Sequence, residues 1–226
     1  MTDQIANLDW NNGVPVATQF DDPYYSLDDG LAETTHVFLD GNDLPARFGD
    51  AFQIAELGFG TGLNLLVTWA KWEQAGCPGD LQFTSFEAFP MSTDDMARAL
   101  RHFPQLCSYA ARLLKMWTPG AGPVQLCQDL ILHVVIGDAR DTVQKWQGKA
   151  DAWFLDGFSP AKNPELWEPA LLSTVAAHTK PGGTAATYSA AGQVRRSLAR
   201  AGFTVSRTPG YGRKRHMTRA RLGHAE

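Results

Sequence analysis

At 226 residues, with 44% hydrophobic and 19% charged residues, the chain has the length and composition of one soluble globular domain. No stretch approaches the run of about 18 apolar residues that a membrane span needs, and the first ten residues lack the basic start and apolar middle of a signal peptide, so a cytoplasmic protein is expected. Three cysteines without a Cys-x-x-Cys spacing and six dispersed histidines point away from a disulfide framework and from a metal site. The net charge of −4 conceals an asymmetry. Residues 1–194 carry 11 Lys and Arg against 23 Asp and Glu, a net of −12, whereas residues 195–226 carry 9 against 1, a net of +8. A basic segment on an acidic protein reads as a footprint for a polyanion, or else as a solvated face.

The first fifty residues are the least regular. Residues 22–30 look like an ordered loop or lid following a small hairpin, so residues 1–50 are expected to form an extension packed on a catalytic domain of residues 51–226. From Phe52 the rhythm becomes strand, helix, strand. Phe52 to Leu57 is apolar and runs into Gly58-Phe-Gly60-Thr61-Gly62, after which Leu63, Leu66, Val67 and Ala70 fall at helical spacing until Gly76 and Pro78. A strand at Leu81–Glu87 follows, then a helical stretch at about 93–114 broken near Pro104, a loop at 120–123, and a strand at Leu130–Ile136 that delivers Gly137-Asp138. Ala152–Leu155 is a near-continuous apolar run, suited to burial on both faces of a parallel sheet. Asn163-Pro164-Glu165 has the chemistry of a helix start, predicting a helix to about Thr179. The segment 180–184 then turns the chain into a strand at 185–188, and a helix at about 192–201 ends at Gly202. Residues 203–207 and 214–218 form a terminal hairpin. The sum is an α/β fold, Rossmann-like: a doubly wound, mostly parallel sheet with an antiparallel carboxyl-terminal hairpin.

In such a sheet, ligands bind beyond the carboxyl ends of the strands. A glycine-rich turn there admits a ligand to the backbone and exposes free helix amides. The spacing Gly58-x-Gly60-x-Gly62 departs from the dinucleotide fingerprint, which would place its third glycine where Leu63 stands; that favours S-adenosyl-L-methionine over a nicotinamide cofactor. Glu87, 25 residues after Gly62, ends the next strand, where a carboxylate accepts both ribose hydroxyls. Asp138 stands where an acid meets the adenine amino group, or where it caps the helix beginning at Ala139. Phe89 flanks the adenine or belongs to the core. Glu56 and Asp156 add carboxylates at the same edge, and so many acids suit a sulfonium and repel a diphosphate. Asp156 ends its strand just before a Gly/Pro loop. A carboxylate there orients an amine and stabilises the positive charge that grows on it, with proton removal as a second role.

Gln19-Phe-Asp-Asp22, Gly58-Phe-Gly-Thr-Gly-Leu-Asn64, Ser85-Phe-Glu-Ala-Phe-Pro90, Asp151-Ala-Trp-Phe-Leu-Asp-Gly-Phe-Ser-Pro-Ala-Lys-Asn-Pro164 and Gly210-Tyr-Gly-Arg-Lys-Arg-His-Met217 resemble the methyltransferase domain of the tRNA wobble-uridine modification protein MnmC, over about residues 8–218. The resemblance implies a class I fold that moves a methyl group from S-adenosyl-L-methionine to 5-aminomethyl-2-thiouridine in tRNA. It also implies a cofactor site at Gly58 to Gly62, Glu87 and Asp138, with Asp156 beside the reacting amine. Ala88 stands where a Lys is expected in that family. Phe158 and Pro160 would wall the amine pocket, and Lys162, Arg195, Arg196, Arg213, Lys214 and Arg215 are candidate phosphate-binding residues. The family's familiar form is fused to a flavin-dependent oxidase, for which these residues have no second glycine-rich turn. A separate FAD-dependent oxidase, or an enzyme pair that forms the aminomethyl group directly, is therefore expected as partner. Three other readings compete: a methyltransferase of small amines or proteins, a nicotinamide-dependent oxidoreductase, and a non-catalytic RNA-binding adaptor.

Overall fold

The computed structural model describes residues 5–26 and 29–223. Leu27 and Asp28, in the expected lid loop, and Glu226, the one acid of the basic segment, lie outside the described residues.

The amino-terminal part opens with a three-stranded antiparallel ribbon, β1 (Leu8–Asn11), β2 (Val14–Ala17) and β3 (Asp22–Pro23), followed by a short helix α1 (Gly30–Thr34). This helix continues into a π-helical turn at Thr35–Leu39, whose Val37, Phe38 and Leu39 are buried. Then comes the main sheet: β4 (Ala51–Leu57), α2 (Leu63–Gln74), β5 (Asp80–Glu87), α3 (Thr93–Leu100), α4 (Cys107–Met116), β6 (Val124–Cys127) and β7 (Leu130–Ile136). The second half holds α5 (Ala139–Lys145), β8 (Ala150–Leu155), α6 (Pro169–Ala177), β9 (Thr179–Thr187), α7 (Gly192–Arg200), β10 (Phe203–Pro209) and β11 (His216–Leu222).

The eight strands run in the order β10-β11-β9-β8-β4-β5-β7-β6. β7, β5, β4, β8 and β9 run parallel to one another, while β6 pairs antiparallel with β7 and β11 lies antiparallel between β9 and β10. Counted from β4 and leaving aside the edge strand β6, the order is 3-2-1-4-5-7-6, so the winding reverses between β4 and β8. There the carboxyl ends of two adjacent strands splay into helices on opposite faces and open a crevice. Helices cover both faces: α2, α3, α4 and the π-helical turn bury one core with Trp69, Trp72 and Phe83, and α5, α6 and α7 bury the other with Trp153, Trp167 and Leu172. In β8 every side chain except Asp151 is buried, as expected of a central parallel strand.

Four elements differ from expectation. The helix foreseen from Asn163 is a 3₁₀ turn at Pro164–Trp167 followed by α6, because Pro169 cannot donate within a continuing helix and restarts it; Asn163 makes no side-chain cap bond. The turn at 180–184 lies inside β9, as a bulge between the pairs Ala150↔Thr179 and Ala152↔Thr184. The second hairpin strand begins at His216, after a turn closed by Gly210 N–H donating to the Arg215 carbonyl at 3.1 Å. β6 is an addition to the expected strands, four residues long with mixed burial and hence no clear alternation.

The first fifty residues are keyed into the sheet by Asn42, which is fully buried. Its amide donates to the Phe38 carbonyl (2.9 Å) and to the Trp153 carbonyl of β8 (3.3 Å), and its oxygen accepts from Thr184 Oγ1 of β9 (2.6 Å).

Candidate functional site

The carboxyl ends of β4, β5, β7, β8 and β9 meet the amino-terminal ribbon around a cavity of about 940 Å³. Its floor is the turn between β4 and α2. Gly58, Gly60 and Gly62 have φ of +86°, +53° and +78°, values that favour glycine. Gly58 is further constrained because a Cβ there would overlap the Asp156 carbonyl, and one at Gly60 would press on the Tyr24 ring. Phe59 turns inward and stacks on Trp117 at 5.0 Å. Gly62 begins the helix and does not line the cavity.

Glu87, at the end of β5, holds this turn. Its Oε2 accepts from Gly60 N–H (2.9 Å) and its Oε1 from Phe89 N–H (2.7 Å). Burial pushes its carboxyl up, against the lowering effect of these amides. Asp138 does what a cap does: Oδ1 accepts from Arg140 N–H at 2.8 Å at the start of α5, and the Arg140 guanidinium pairs with Oδ2 at 2.6 Å. Those bonds hold its carboxyl below the ordinary range. It lines the cavity all the same, with Ala139, Thr61 and Phe89.

Glu56 takes a different place from the one expected of it. It is fully buried beneath the cavity rather than on its wall, with Oε1 accepting from Asn64 Nδ2 (2.9 Å) and Oε2 from Ser85 Oγ (2.7 Å). Burial pushes its carboxyl well above the usual carboxylate range, against the lowering effect of the Ser85 and Asn64 bonds.

Asp156, one residue past β8, lines the cavity, with Oδ2 accepting from Asn64 Nδ2 at 2.6 Å. Burial raises its carboxyl to about 7; the Asn64 bond and the Lys214 charge lower it, and the Glu33 charge raises it. The loop beyond it is fastened on three sides. Tyr188 Oη donates to the Gly157 carbonyl (2.7 Å), Trp167 Nε1 to the Phe158 carbonyl (2.8 Å), and Ser159 N–H to Asp22 Oδ2 of β3 (2.8 Å). Phe158 stacks on Phe20 at 4.8 Å and meets Tyr24 edge-on at 5.1 Å. An aromatic wall therefore faces the acids, built half from the amino-terminal ribbon and half from the β8 loop.

The basic residues divide. Lys162 lines the cavity but binds the Asp21 carbonyl and lies 3.8 Å from Asp22, latching the β8 loop to the ribbon. Lys214 lies 2.8 Å from Glu33 and 3.9 Å from the centre of the Tyr188 ring. Arg213 lines the cavity mouth and Arg215 is exposed nearby in sequence, outside the lining. Arg195 donates to the Ala190 carbonyl, Arg196 packs against Gly192 on α7, and neither reaches the cavity; Pro160 does not line it either. Arg219 and Arg221 are paired with Asp43.

Sequence reasoning passed over Asn64, Tyr188, Glu33, Thr34, Phe20 and Tyr24. Asn64 lay in plain view, two residues past the last glycine, where the first turn of a helix faces back to the sheet edge. Among the described residues no group of three or more His, Cys, Asp or Glu is placed to hold a metal ion, and no helix is long and apolar enough to cross a membrane.

A 3-2-1-4-5-7-6 sheet with a glycine turn after its first strand and a buried acid ending its second defines a class I methyltransferase fold. The chain belongs to the S-adenosyl-L-methionine-dependent methyltransferase family whose pattern matches residues 104–223. The site fits that cofactor: the positive-φ glycines leave a cradle that side chains would fill, and the acids around it suit a cation. Among relatives, the chain is 44% identical over 223 residues to the tRNA 5-methylaminomethyl-2-thiouridine biosynthesis bifunctional protein MnmC of Chromohalobacter salexigens, covering 93% of this chain and 32% of that protein. It is 44% identical over 224 residues to the protein of the same name from Hahella chejuensis, covering 94% and 36%. The chain thus spans about a third of the length of the curated relatives it matches. The crystal structure of MnmC2 from Aquifex aeolicus superposes with a TM-score of 0.78 at 26% identity, over 97% of this chain and 71% of that one.

Proposed function

We propose that the protein methylates the primary amine of 5-aminomethyl-2-thiouridine at the wobble position of tRNA, giving 5-methylaminomethyl-2-thiouridine. The observation that carries this reading is Asp156, an acid whose carboxyl is raised to about 7, lining the cavity directly beside the glycine turn at Gly58 and next to the aromatic wall at Phe158. The relatives' names supply the nucleoside.

S-adenosyl-L-methionine, when bound, supplies an electrophilic methyl on a sulfonium. The turn at Gly58, Gly60 and Thr61 would hold it, with Glu87 at the ribose hydroxyls and Asp138, Ala139 and Phe89 around the adenine. Phe158, with Phe20 and Tyr24, would stack on the extruded base and exclude water. An alkylamine of pKa roughly 10.4 loses its proton at a cost of up to ~4 kcal/mol near neutral pH, less on an electron-poor uracil. As the nitrogen lone pair forms the new C–N bond and the S–C bond breaks, positive charge passes to nitrogen. Asp156 aims the amine and stabilises that charge. A carboxyl raised to about 7 is also a better proton acceptor than an ordinary carboxylate, so it serves to remove the proton that methylation releases. The exposed basic turn around Arg213 and Arg215 would meet the phosphates.

The deciding experiment is transfer of radiolabelled methyl from S-adenosyl-L-methionine to tRNA carrying aminomethyl-2-thiouridine, with carboxymethylaminomethyl tRNA in parallel. Label in the first and none in the second is expected, because removal of the carboxymethyl arm is an oxidation that needs a flavin, whereas the cavity described is assigned to the methyl donor. No transfer to either would overturn the proposal.

A further inference from the structure

Asn64 uses every hydrogen-bonding group of its amide in one direction. Its two Nδ2 hydrogens go to Glu56 Oε1 (2.9 Å) and Asp156 Oδ2 (2.6 Å), and its Oδ1 accepts from the Thr34 hydroxyl (3.0 Å). Asn64 and Thr34 are both buried. Turning the amide over would set its oxygen against two carboxyl oxygens and its NH₂ against a hydroxyl already pointed at it. The orientation is therefore fixed by chemistry on three sides. Among the described residues Asp156 Oδ1 accepts no hydrogen bond, while Oδ2 is taken.

We propose that Asn64, itself oriented by Thr34, is a positioning residue for methyl transfer: it clamps one oxygen of Asp156 and leaves the other as the single lobe that receives the substrate amine. The inference rests on the reading of Asp156 given above. It explains why the carboxyl at Glu56 is sunk beneath the site. With both its oxygens satisfied by Asn64 and Ser85, Glu56 serves as the fixed anchor against which Asn64 is held, and presents no rival acceptor to the amine. It also gives α1 a part in the chemistry, since Thr34 reaches the β8 tip through one side chain of α2. The charged and titratable groups around Asp156 are Glu33 on α1, Lys214 on the hairpin turn, Tyr188 after β9 and Glu56 on β4.

The test compares Asn64→Leu, Thr34→Val and Asp156→Asn in single-turnover methyl transfer to aminomethyl tRNA across the neutral pH range, with cofactor affinity measured separately. Leu keeps the size of Asn64 without its bonds. Its rate should fall on the order of 100-fold, the scale of a misplaced catalytic group, with cofactor affinity retained. Thr34→Val should fall by about tenfold, the scale of one hydrogen bond. Both should move the acidic limb of the pH–rate profile to higher pH, because a bond that favours the charged carboxylate is removed or loosened. A residue that merely stabilises the fold would not move that limb. If Asp156→Asn abolishes transfer while Asn64→Leu and Thr34→Val keep both rate and limb, the positioning role is overturned and the role of Asp156 stands. If Asp156→Asn stays active, the reading of Asp156 itself fails. Should Asn64→Leu not fold, Thr34→Val decides by the same limb.

Discussion

Replacing Glu87 by Gln preserves shape and removes charge, and the structure lets its effect be worked out. The carboxylate takes two backbone N–H groups, from Gly60 and Phe89, one on each oxygen. A Gln side chain has one oxygen, so its NH₂ must face one of those N–H groups, donor against donor. The orphaned amide costs about 1 to 3 kcal/mol, which at about 2 to 4 °C per kcal/mol for a chain of this size lowers the melting temperature by roughly 2 to 12 °C. On the proposed assignment the cofactor's ribose would lose a charged acceptor, worth about 1.5 to 3 kcal/mol, so the dissociation constant should rise roughly 10- to 150-fold. Isothermal titration with S-adenosyl-L-methionine and with S-adenosylhomocysteine measures this. Both ligands should weaken alike if Glu87 holds the ribose, which the two share, and not the sulfur. A lowered melting temperature with unchanged affinity for both would refute the ribose assignment and leave Glu87 as a buttress of the glycine turn.

Asp156→Asn should cut turnover steeply while cofactor affinity holds, because the carboxylate acts on charge that exists only during transfer; equal changes in both would reverse the assignment. The wild-type rate should fall as pH drops through about 7, since burial raises this carboxyl and the deprotonated form is the active one; a flat profile across that range would count against it. Arg213→Ala with Arg215→Ala should weaken tRNA binding and reduce its salt dependence by up to about 0.7 to 0.9 for each phosphate that is no longer neutralised, and an unaltered slope would return this turn to a solvated face. Asn42→Ala removes the bonds to the Trp153 carbonyl and the Thr184 hydroxyl, and should cost about 2 to 4 kcal/mol, read as a lower melting temperature; no change would mean that Asn42 is not the residue that keys this segment to the sheet.

What could be read from sequence was whatever local chemistry fixes. Leu130–Ile136 was bounded correctly because an apolar run between Asp129 and Gly137 has one way to pack. The glycine turn and Asp156 were legible because both sit where a strand must end. Glu56 was misplaced because strand alternation gives a face but not a depth, and a polar residue followed by Leu-Gly looks like a rim residue until Ser85 and Asn64 close over it. Pro169 was passed over because the start signal at Asn163 was stronger than the break six residues later. The basic tail also carries internal ion pairs that its charge count does not reveal. Arg219 and Arg221 are spent on Asp43 and Lys214 on Glu33, acids from the irregular first fifty residues whose positions no periodicity announces.

Gly58 has its α-hydrogen side against the Asp156 carbonyl, where no larger residue fits. One thickness of main chain thus separates the turn proposed to hold the methyl donor from the strand tip proposed to receive the acceptor. The spacing of the two sides is set by peptide geometry, and the side chains of Asp156 and Asn64 aim the amine within it. On the proposed assignment, altering Phe158, Tyr188 or the ribbon's Phe20 should change the shape of the nucleoside pocket and leave the Gly58–Asp156 joint in place. A redesign for a longer or bulkier amine must therefore widen the walls and leave that joint alone.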